Sequence, residues 1–384
     1  MVSSKYSTKH AFLSEATCPH TINLILNLIY KDIIKKTDLL LIIYGTALSN
    51  KNIKNTCQAH DIQVLEWDEI SSTPQRFLTL SCLSLQPITA KIIINCLNAK
   101  FINAEKVNIL ITDDEIDRWL SLYNREGKIT INTSALINDD VLNVLKTVDN
   151  YIVPYTTWGK PLEKILGRRL NIIDAVIPFD VLDYGSQDCL EAFLNSRKRD
   201  KNLSTYKVLL FTKPQNTRKV FNIIASYLSG RIEIPSNLDI TIGTWLPLNP
   251  KGMMLYMSLK ALIKLKNLPI LLKLEQPVSS EQYALMLHEY DCLILQERGG
   301  FSTAKYFAEN VGKLITLKDS FNDKTLNVDY GIETFNSKSY IEAIKDTISA
   351  AQKNEVDSIS TFASQLTKKH EESFDTLRHY WNSF

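Results

Sequence analysis

The sequence predicts an α/β protein built from two doubly wound parallel sheets. Short, unbroken apolar runs such as Leu39–Tyr44, Val107–Thr112 and Lys207–Thr212 recur along the chain. Strands covered on both faces have this unalternating character. Longer amphipathic stretches separate the runs, as parallel crossovers require. The length of 384 residues also exceeds the roughly 100–200 residues of one domain.

Taken in order, strands are expected at Leu39–Tyr44, Lys91–Asn95, Val107–Thr112, Tyr151–Pro154 and Lys207–Thr212. Ile270–Leu274, Cys292–Leu295 and Leu314–Leu317 extend the series. The intervening period predicts helices over 20–36, 135–148, 158–168, 216–229, 253–266, 280–289, 303–311 and 339–354. The strand-like segment Asn171–Pro178 closes the first sheet, and a polar stretch containing NSRKRDKNLS follows. The expected organisation is a first domain over 1–182, a linker over 183–206 and a second domain over 207–384. The last of these includes a terminal helix with an aromatic end at Tyr380, Trp381 and Phe384.

Composition removes several function classes. Lys and Arg number 44 against 42 Asp and Glu, a net charge of +2, so nucleic acid is not an expected partner. The six cysteines have no C-x-x-C spacing and read as small buried hydrophobes in a reducing compartment, with no metal site expected. The first twenty residues lack the apolar core of a signal peptide. The longest apolar candidate, Ile22–Ile43, is interrupted by Lys31, Asp32, Lys35, Lys36 and Asp38. A soluble cytoplasmic protein is expected.

In open parallel sheets, ligands bind beyond the carboxyl ends of the strands, so the residues after each run are the candidates. After Lys207–Phe211 come Thr212 and Lys213, with Arg218 on the following helix. These cations could reach a diphosphate or form a solvated helix cap. Gly243 and Trp245 follow Asp239–Ile242 and offer close approach and stacking to a base, or core packing. After Cys292–Leu295 comes Gln296-Glu297-Arg298-Gly299-Gly300-Phe301-Ser302-Thr303. Paired glycines and hydroxyls at a helix start form an anion-binding nest, or a structural turn. In the first half, Asp113, Asp114 and Glu115 follow Val107–Thr112 and could supply a general base or an acidic helix cap. His20 follows the first strand by a short loop and is a second candidate, or a packed or capping histidine. G-x-G-x-x-G, the P-loop, H-E-x-x-H and G-x-S-x-G are all missing.

Several segments together resemble a GT-B glycosyltransferase, with two Rossmann-like domains facing across a cleft. Ala175-Val176-Ile177-Pro178-Phe179-Asp180 is similar to the V-I-P-N-G-V-D strand that ends the first half of many members. The segment Gly299 to Ile315 resembles E-G-F-G-x-x-x-x-E-A-x-A-x-G-x-P-V, with Gly299 and Phe307 in place of the two glutamates and Glu309 two positions late. A narrower resemblance is to the bacterial 4-acetamido-4,6-dideoxygalactose (Fuc4NAc) transferases of enterobacterial common antigen synthesis. It rests on His10–Leu13, the Pro19-His20 loop, the apolar stretch Thr21–Ile34 and the nest Gly300-Phe301-Ser302-Thr303.

The resemblance implies a metal-independent enzyme without a cofactor, moving a sugar from a nucleotide-sugar donor to a glycan in surface polysaccharide or lipopolysaccharide synthesis. The strand-end reading and the resemblance converge on donor contacts at Thr212, Lys213, Arg218, Gly243, Trp245, Glu297, Arg298, Gly299, Gly300, Ser302 and Thr303. A lipid-linked acceptor would add peripheral contact with the inner membrane, and Ile33–Lys36, Lys51–Lys54 and Arg168–Arg169 are the basic segments available for it. Loss of both glutamates keeps a catalytically silent glycan-binding or partner module open, and a sugar-nucleotide epimerase is a third reading.

Overall fold

The computed structural model describes residues 9–18, 20–71, 76–177, 205–212, 217–228, 239–245, 249–275, 280–310, 313–331, 334–353 and 359–384. The chain divides into two compact units, one of residues 1–182 with 369–384 and one of residues 183–368.

The first unit holds a parallel sheet in the order β3-β2-β1-β4-β5-β6-β7. Its strands are β1 (His10–Glu15), β2 (Leu39–Tyr44), β3 (Val64–Glu66), β4 (Thr79–Leu83), β5 (Val107–Leu110), β6 (Asn150–Val153) and β7 (Asn171–Asp174). The second unit repeats the pattern as β10-β9-β8-β11-β12-β13. Here the strands are β8 (Thr205–Leu210), β9 (Asp239–Thr244), β10 (Ile270–Leu274), β11 (Cys292–Ile294), β12 (Lys313–Leu317) and β13 (Phe335–Ser337). Every pairing between these strands is parallel. Strand order reverses between β1 and β4, and again between β8 and β11. In open parallel sheets such switch points are where ligands commonly bind.

Two departures from the sequence reading have clear causes. Lys91–Asn95 is not a strand; it lies within the helix Pro87–Asn98. Its buried positions Thr89, Ala90, Ile92, Ile93 and Cys96 follow helical spacing, and Pro87 opens the first turn. The neighbouring strand is β4, whose Thr79 and Ser81 kept its apolar run short. These residues are buried because each has a polar partner. Thr79 Oγ1 meets His10 Nδ1 at 2.9 Å, and Asn108 Nδ2 donates to Ser81 Oγ at 3.1 Å.

The second departure is the tail. Residues 369–384 belong to the first unit rather than to the second. Leu377 and Trp381 are buried with Phe12 and the β2 core, with the Trp381 and Phe12 rings 5.6 Å apart. Tyr380 Oη donates to Asn108 Oδ1 at 2.6 Å, and Val176 N donates to Ser373 Oγ at 3.2 Å. Arg378 donates to the carbonyls of Lys31 at 2.7 Å and Asp32 at 3.1 Å.

Candidate functional site

The loops after β8 and β11 are tied together side chain to backbone. Gln296 follows the β11 run; its Oε1 accepts from Thr212 N at 3.1 Å and its Nε2 donates to Thr212 Oγ1 at 2.8 Å. The same Nε2 donates to Gly299 O at 2.6 Å. From the loop after β12, Asn322 Nδ2 donates to Gln296 O at 2.6 Å and to Gly299 O at 2.9 Å. Asn322 N donates to Glu297 O at 3.0 Å. Three strand ends are thus held in register at the switch point.

Gly299 and Gly300 are both left-handed, with φ of +77° and +85°, and feed directly into the ten-residue helix Phe301–Asn310. Successive left-handed residues at a helix N-terminus present backbone N–H groups and the positive end of the helix dipole in one direction. Phe211, just after β8, is also left-handed at φ +71° without being glycine. That conformation is uncommon for a bulky residue and costs on the order of 1–3 kcal/mol. Its buried ring stands edge-on to Tyr340 at 5.2 Å. Lys219 Nζ lies 4.7 Å from the Tyr340 ring centre and 3.3 Å from Glu297 Oε1, at the exposed rim of the same loops.

Thr303, in the first turn of that helix, shares a 3.2 Å hydrogen bond with Tyr283 Oη. Tyr283 also reaches Thr212 O at 3.4 Å, and burial pushes its phenol up to about 12. Thr212, Glu297, Gly299, Gly300 and Thr303 therefore stand together, and Arg298 lies on the same loop. Arg218 and Ser302 are placed by their backbones only, in the first turns of the helices Thr217–Leu228 and Phe301–Asn310. Lys213 lies outside the described residues, as do Pro19, 178–204 and thus most of the expected linker.

Three of these positions have structural reasons that the sequence concealed. A Cβ on Gly300 would sit 2.4 Å from Thr212 Oγ1 and 2.7 Å from Gln296 Nε2, so close packing of the two loops demands glycine there. At Gly243 the added Cβ would lie 2.0 Å from Tyr290 Oη. The space is filled by a tyrosine and not held open for a base. Trp245 is buried, with its ring 6.0 Å from Tyr283, which corrects the expectation of an available stacking face.

The sequence reading missed a recess of about 340 Å³ at the end of β10. There Lys273 Nζ lies 3.1 Å from Glu275 Oε1 and 2.7 Å from Glu289 Oε2, while Tyr290 Oη donates to the buried Glu275. Lys273 and Glu275 flank the last residue of an apolar run. They stand at the end of a strand run, but their partners Glu289 and Tyr290 arrive from the turn after the helix Ser280–Leu287.

In the first unit, Glu115 is 1% exposed and serves as a tie between loops. Its carboxylate accepts from Leu85 N after β4, and from Thr112 N at 2.8 Å and Thr112 Oγ1 at 3.0 Å after β5. Burial raises its pKa, opposed by those hydrogen bonds. With its lone pairs taken up by the loops after β4 and β5, it positions those loops, a correction to its place among the proton acceptors. Asp113 and Asp114 open the helix Asp113–Glu126 and are placed by backbone alone. His20 is exposed at the N-cap of the helix Thr21–Tyr30, where its side chain makes no capping bond. Glu15, which ends β1 at the switch point and accepts from Thr17 Oγ1 at 2.7 Å, is a carboxylate that the sequence reading overlooked. It directly follows the apolar run of β1.

Each basic segment singled out for membrane contact has one residue engaged within the protein. Lys36 pairs with Asp61, Lys54 with Glu66 and Glu69, and Arg168 with Asp149. Among the described residues no three His, Cys, Asp or Glu side chains gather as a metal centre, and no helix is long and apolar enough to cross a membrane.

Two doubly wound parallel units in one chain, each with its own switch point, are the units of the GT-B architecture, and that is the fold of this protein. Anabaena HepE, solved in complex with UDP and glucose, is similar over 98% of both chains, with a TM-score of 0.63 at 10% identity. The α,α-trehalose 6-phosphate synthase of Burkholderia multivorans is similar over 98% of both chains, with a TM-score of 0.57 at 8% identity. A putative UDP-N-acetylglucosamine 2-epimerase of Listeria monocytogenes is similar over 96% of this chain and 94% of its own, with a TM-score of 0.52 at 10% identity. No protein-family model and no curated protein sequence matches the chain.

Proposed function

We propose that this protein is a metal-independent glycosyltransferase that takes its sugar from a nucleotide-sugar donor. The observation that carries the reading is the left-handed pair Gly299–Gly300 opening the helix Phe301–Asn310 at the β8/β11 switch point. A leaving diphosphate accumulates negative charge as the glycosidic C–O bond breaks, and a preorganised helix N-terminus stabilises it without a cation. Arg298, Arg218 and Lys213 are the side chains assigned to the diphosphate, with Thr303 adding a hydroxyl. On the acceptor side, Asp113, Asp114, Glu15 and His20 are the candidates to accept the proton of the attacking hydroxyl. HepE was solved with UDP and glucose, which makes a uridine donor the first to test. The acceptor is a glycan, lipid-linked in the narrower resemblance to the Fuc4NAc transferases. That reading adds surface polysaccharide synthesis and peripheral contact with the membrane.

The deciding measurement is a thermal-shift series with UDP, GDP, CMP and dTDP, since a ligand that binds only the native state raises the midpoint. UDP should raise it, and Lys213→Ala or Arg218→Ala should weaken that binding by about tenfold or more. A chain unresponsive to every nucleotide would instead be a silent module. The epimerase reading is supported by the Listeria neighbour. Conversion of UDP-N-acetylglucosamine to its 2-epimer without any acceptor would establish it in place of transfer.

A further inference from the structure

The helix Pro250–Leu265 joins β9 to β10 at the edge of the second sheet. Gly252, Leu259 and Ile263 face inward and are buried. On the opposite side Met254, Met257 and Leu265 are 74%, 62% and 80% exposed, with the exposed Ala261 between them. Positions 254, 257, 261 and 265 form one helical stripe, so this is a continuous apolar crest turned away from the core. Leu271 on the edge strand β10 adds a further exposed side chain.

The charges around this crest are one-sided. Between Asp239 and Glu275 the chain has no acidic residue but carries Lys251, Lys260, Lys264, Lys266 and Lys273. On the helical wheel Lys260 and Lys264 flank one side of the crest and Lys251 flanks the other. All three are exposed. The rest of the chain, by contrast, mixes both signs nearly evenly. Lysine stems can lie along an apolar boundary while their ammonium groups reach phosphate. Unbranched methionine adapts to an irregular surface.

We propose that this helix is a docking surface for anionic lipid bilayers, lying in the plane of the interface with Met254, Met257 and Leu265 inserted and Lys251, Lys260 and Lys264 on the headgroups. It gives the peripheral contact included in the functional reading a specific surface, but neither nucleotide nor transfer enters its test. A protein partner would have to be acidic along both flanks, and a second copy of this crest would bring lysine against lysine. The charge pattern therefore selects the lipid surface.

The test is co-sedimentation of the full chain with vesicles of phosphatidylcholine containing roughly 30% phosphatidylglycerol, compared with phosphatidylcholine alone. Wild-type protein should bind the anionic vesicles, and raising salt to about 0.5 M should release it. Lys251→Gln/Lys260→Gln/Lys264→Gln should lower partitioning on the order of 100-fold, at about fivefold per lysine. Met254→Ser/Met257→Ser/Leu265→Ser should abolish binding while the melting midpoint is retained, because these side chains face solvent. Absence of wild-type binding to anionic vesicles overturns the proposal, as does binding that both triple variants preserve. A wild-type dimer that the Met/Leu variant dissociates, without vesicle binding, would make the crest a protein interface and also overturn it. Nucleotide-induced thermal shifts remain a separate readout, so loss of the transferase reading would leave this result standing.

Discussion

The side-chain amide of Gln296 grips Thr212 twice, accepting from its backbone N at 3.1 Å and donating to its Oγ1 at 2.8 Å. This pairing spans 84 residues of sequence and fastens the two loops that meet where the second sheet reverses its strand order. Gln296→Leu would keep the volume while leaving Thr212 N without its partner, whereas Gly299 O would retain Asn322 Nδ2. A buried polar group so stranded costs about 1–3 kcal/mol. Urea unfolding should show a loss of that size, and a thermal-shift series should show a smaller response to UDP. Unchanged stability would mean that the loops are held elsewhere.

Two left-handed glycines separate backbone strain from close packing. Gly127 caps the helix Asp113–Glu126 at φ +71°, with nothing within 4 Å of an added Cβ. Gly300 has a similar φ but faces Thr212 and Gln296 at contact distance. Gly127→Ala should cost about 1–2 kcal/mol. Gly300→Ala should cost at least about 1–3 kcal/mol more, as overpacking does. Equal losses in denaturant titrations would show that the loops can part to admit a methyl group.

His10 lies in the first core with its Nδ1 at 2.9 Å from Thr79 Oγ1, and burial lowers its pKa below 6.5, against a smaller opposing pull from Asp38. The unfolded chain takes up a proton as the pH falls through 6.5, while the folded ring resists until a lower pH. The unfolded state binds more protons in that window, so stability is lost as pH falls from 6.5 toward the folded pKa. His10→Gln should flatten this slope, measured as the wild-type minus variant difference across a pH series. Parallel curves would remove His10 as the source.

The terminal aromatic residues should act on the first unit alone. Trp381→Ala deletes a buried ring packed on Phe12, a change that costs about 3–5 kcal/mol. Hydrogen exchange should accelerate in β1 and β2 and stay unchanged in β8 through β12. Exchange rising in the second unit would contradict the assignment of the tail.

The fold was legible where side-chain chemistry is local. Leu39–Tyr44 and Cys292–Ile294 are strands because each is apolar on both faces, and a crossover helix separates neighbours. Lys91–Asn95 misled because three successive isoleucines suit a buried strand and a buried helix equally, and the longer spacing from Thr89 to Cys96 decides. β4 escaped because Thr79 and Ser81 are buried through His10 and Asn108, partners remote in sequence. At the site, the turn Gln296–Thr303 was readable as glycines between a strand and a helix. That Gly243 accommodates Tyr290 and that Glu115 ties Leu85 to Thr112 were not, since each depends on a contact between segments.

By itself, then, the sequence determined the two parallel sheets and the strand ends where ligands could sit, because periodicity and turn chemistry are properties of neighbours along the chain. Only the tertiary structure decided which side chains those ends retain for chemistry and which they spend on one another, and to which unit the last sixteen residues, 369–384, belong. A hydrogen bond or a buried ring is assigned by distance in space, and segments such as Phe12 and Trp381 become neighbours only when the core closes around both.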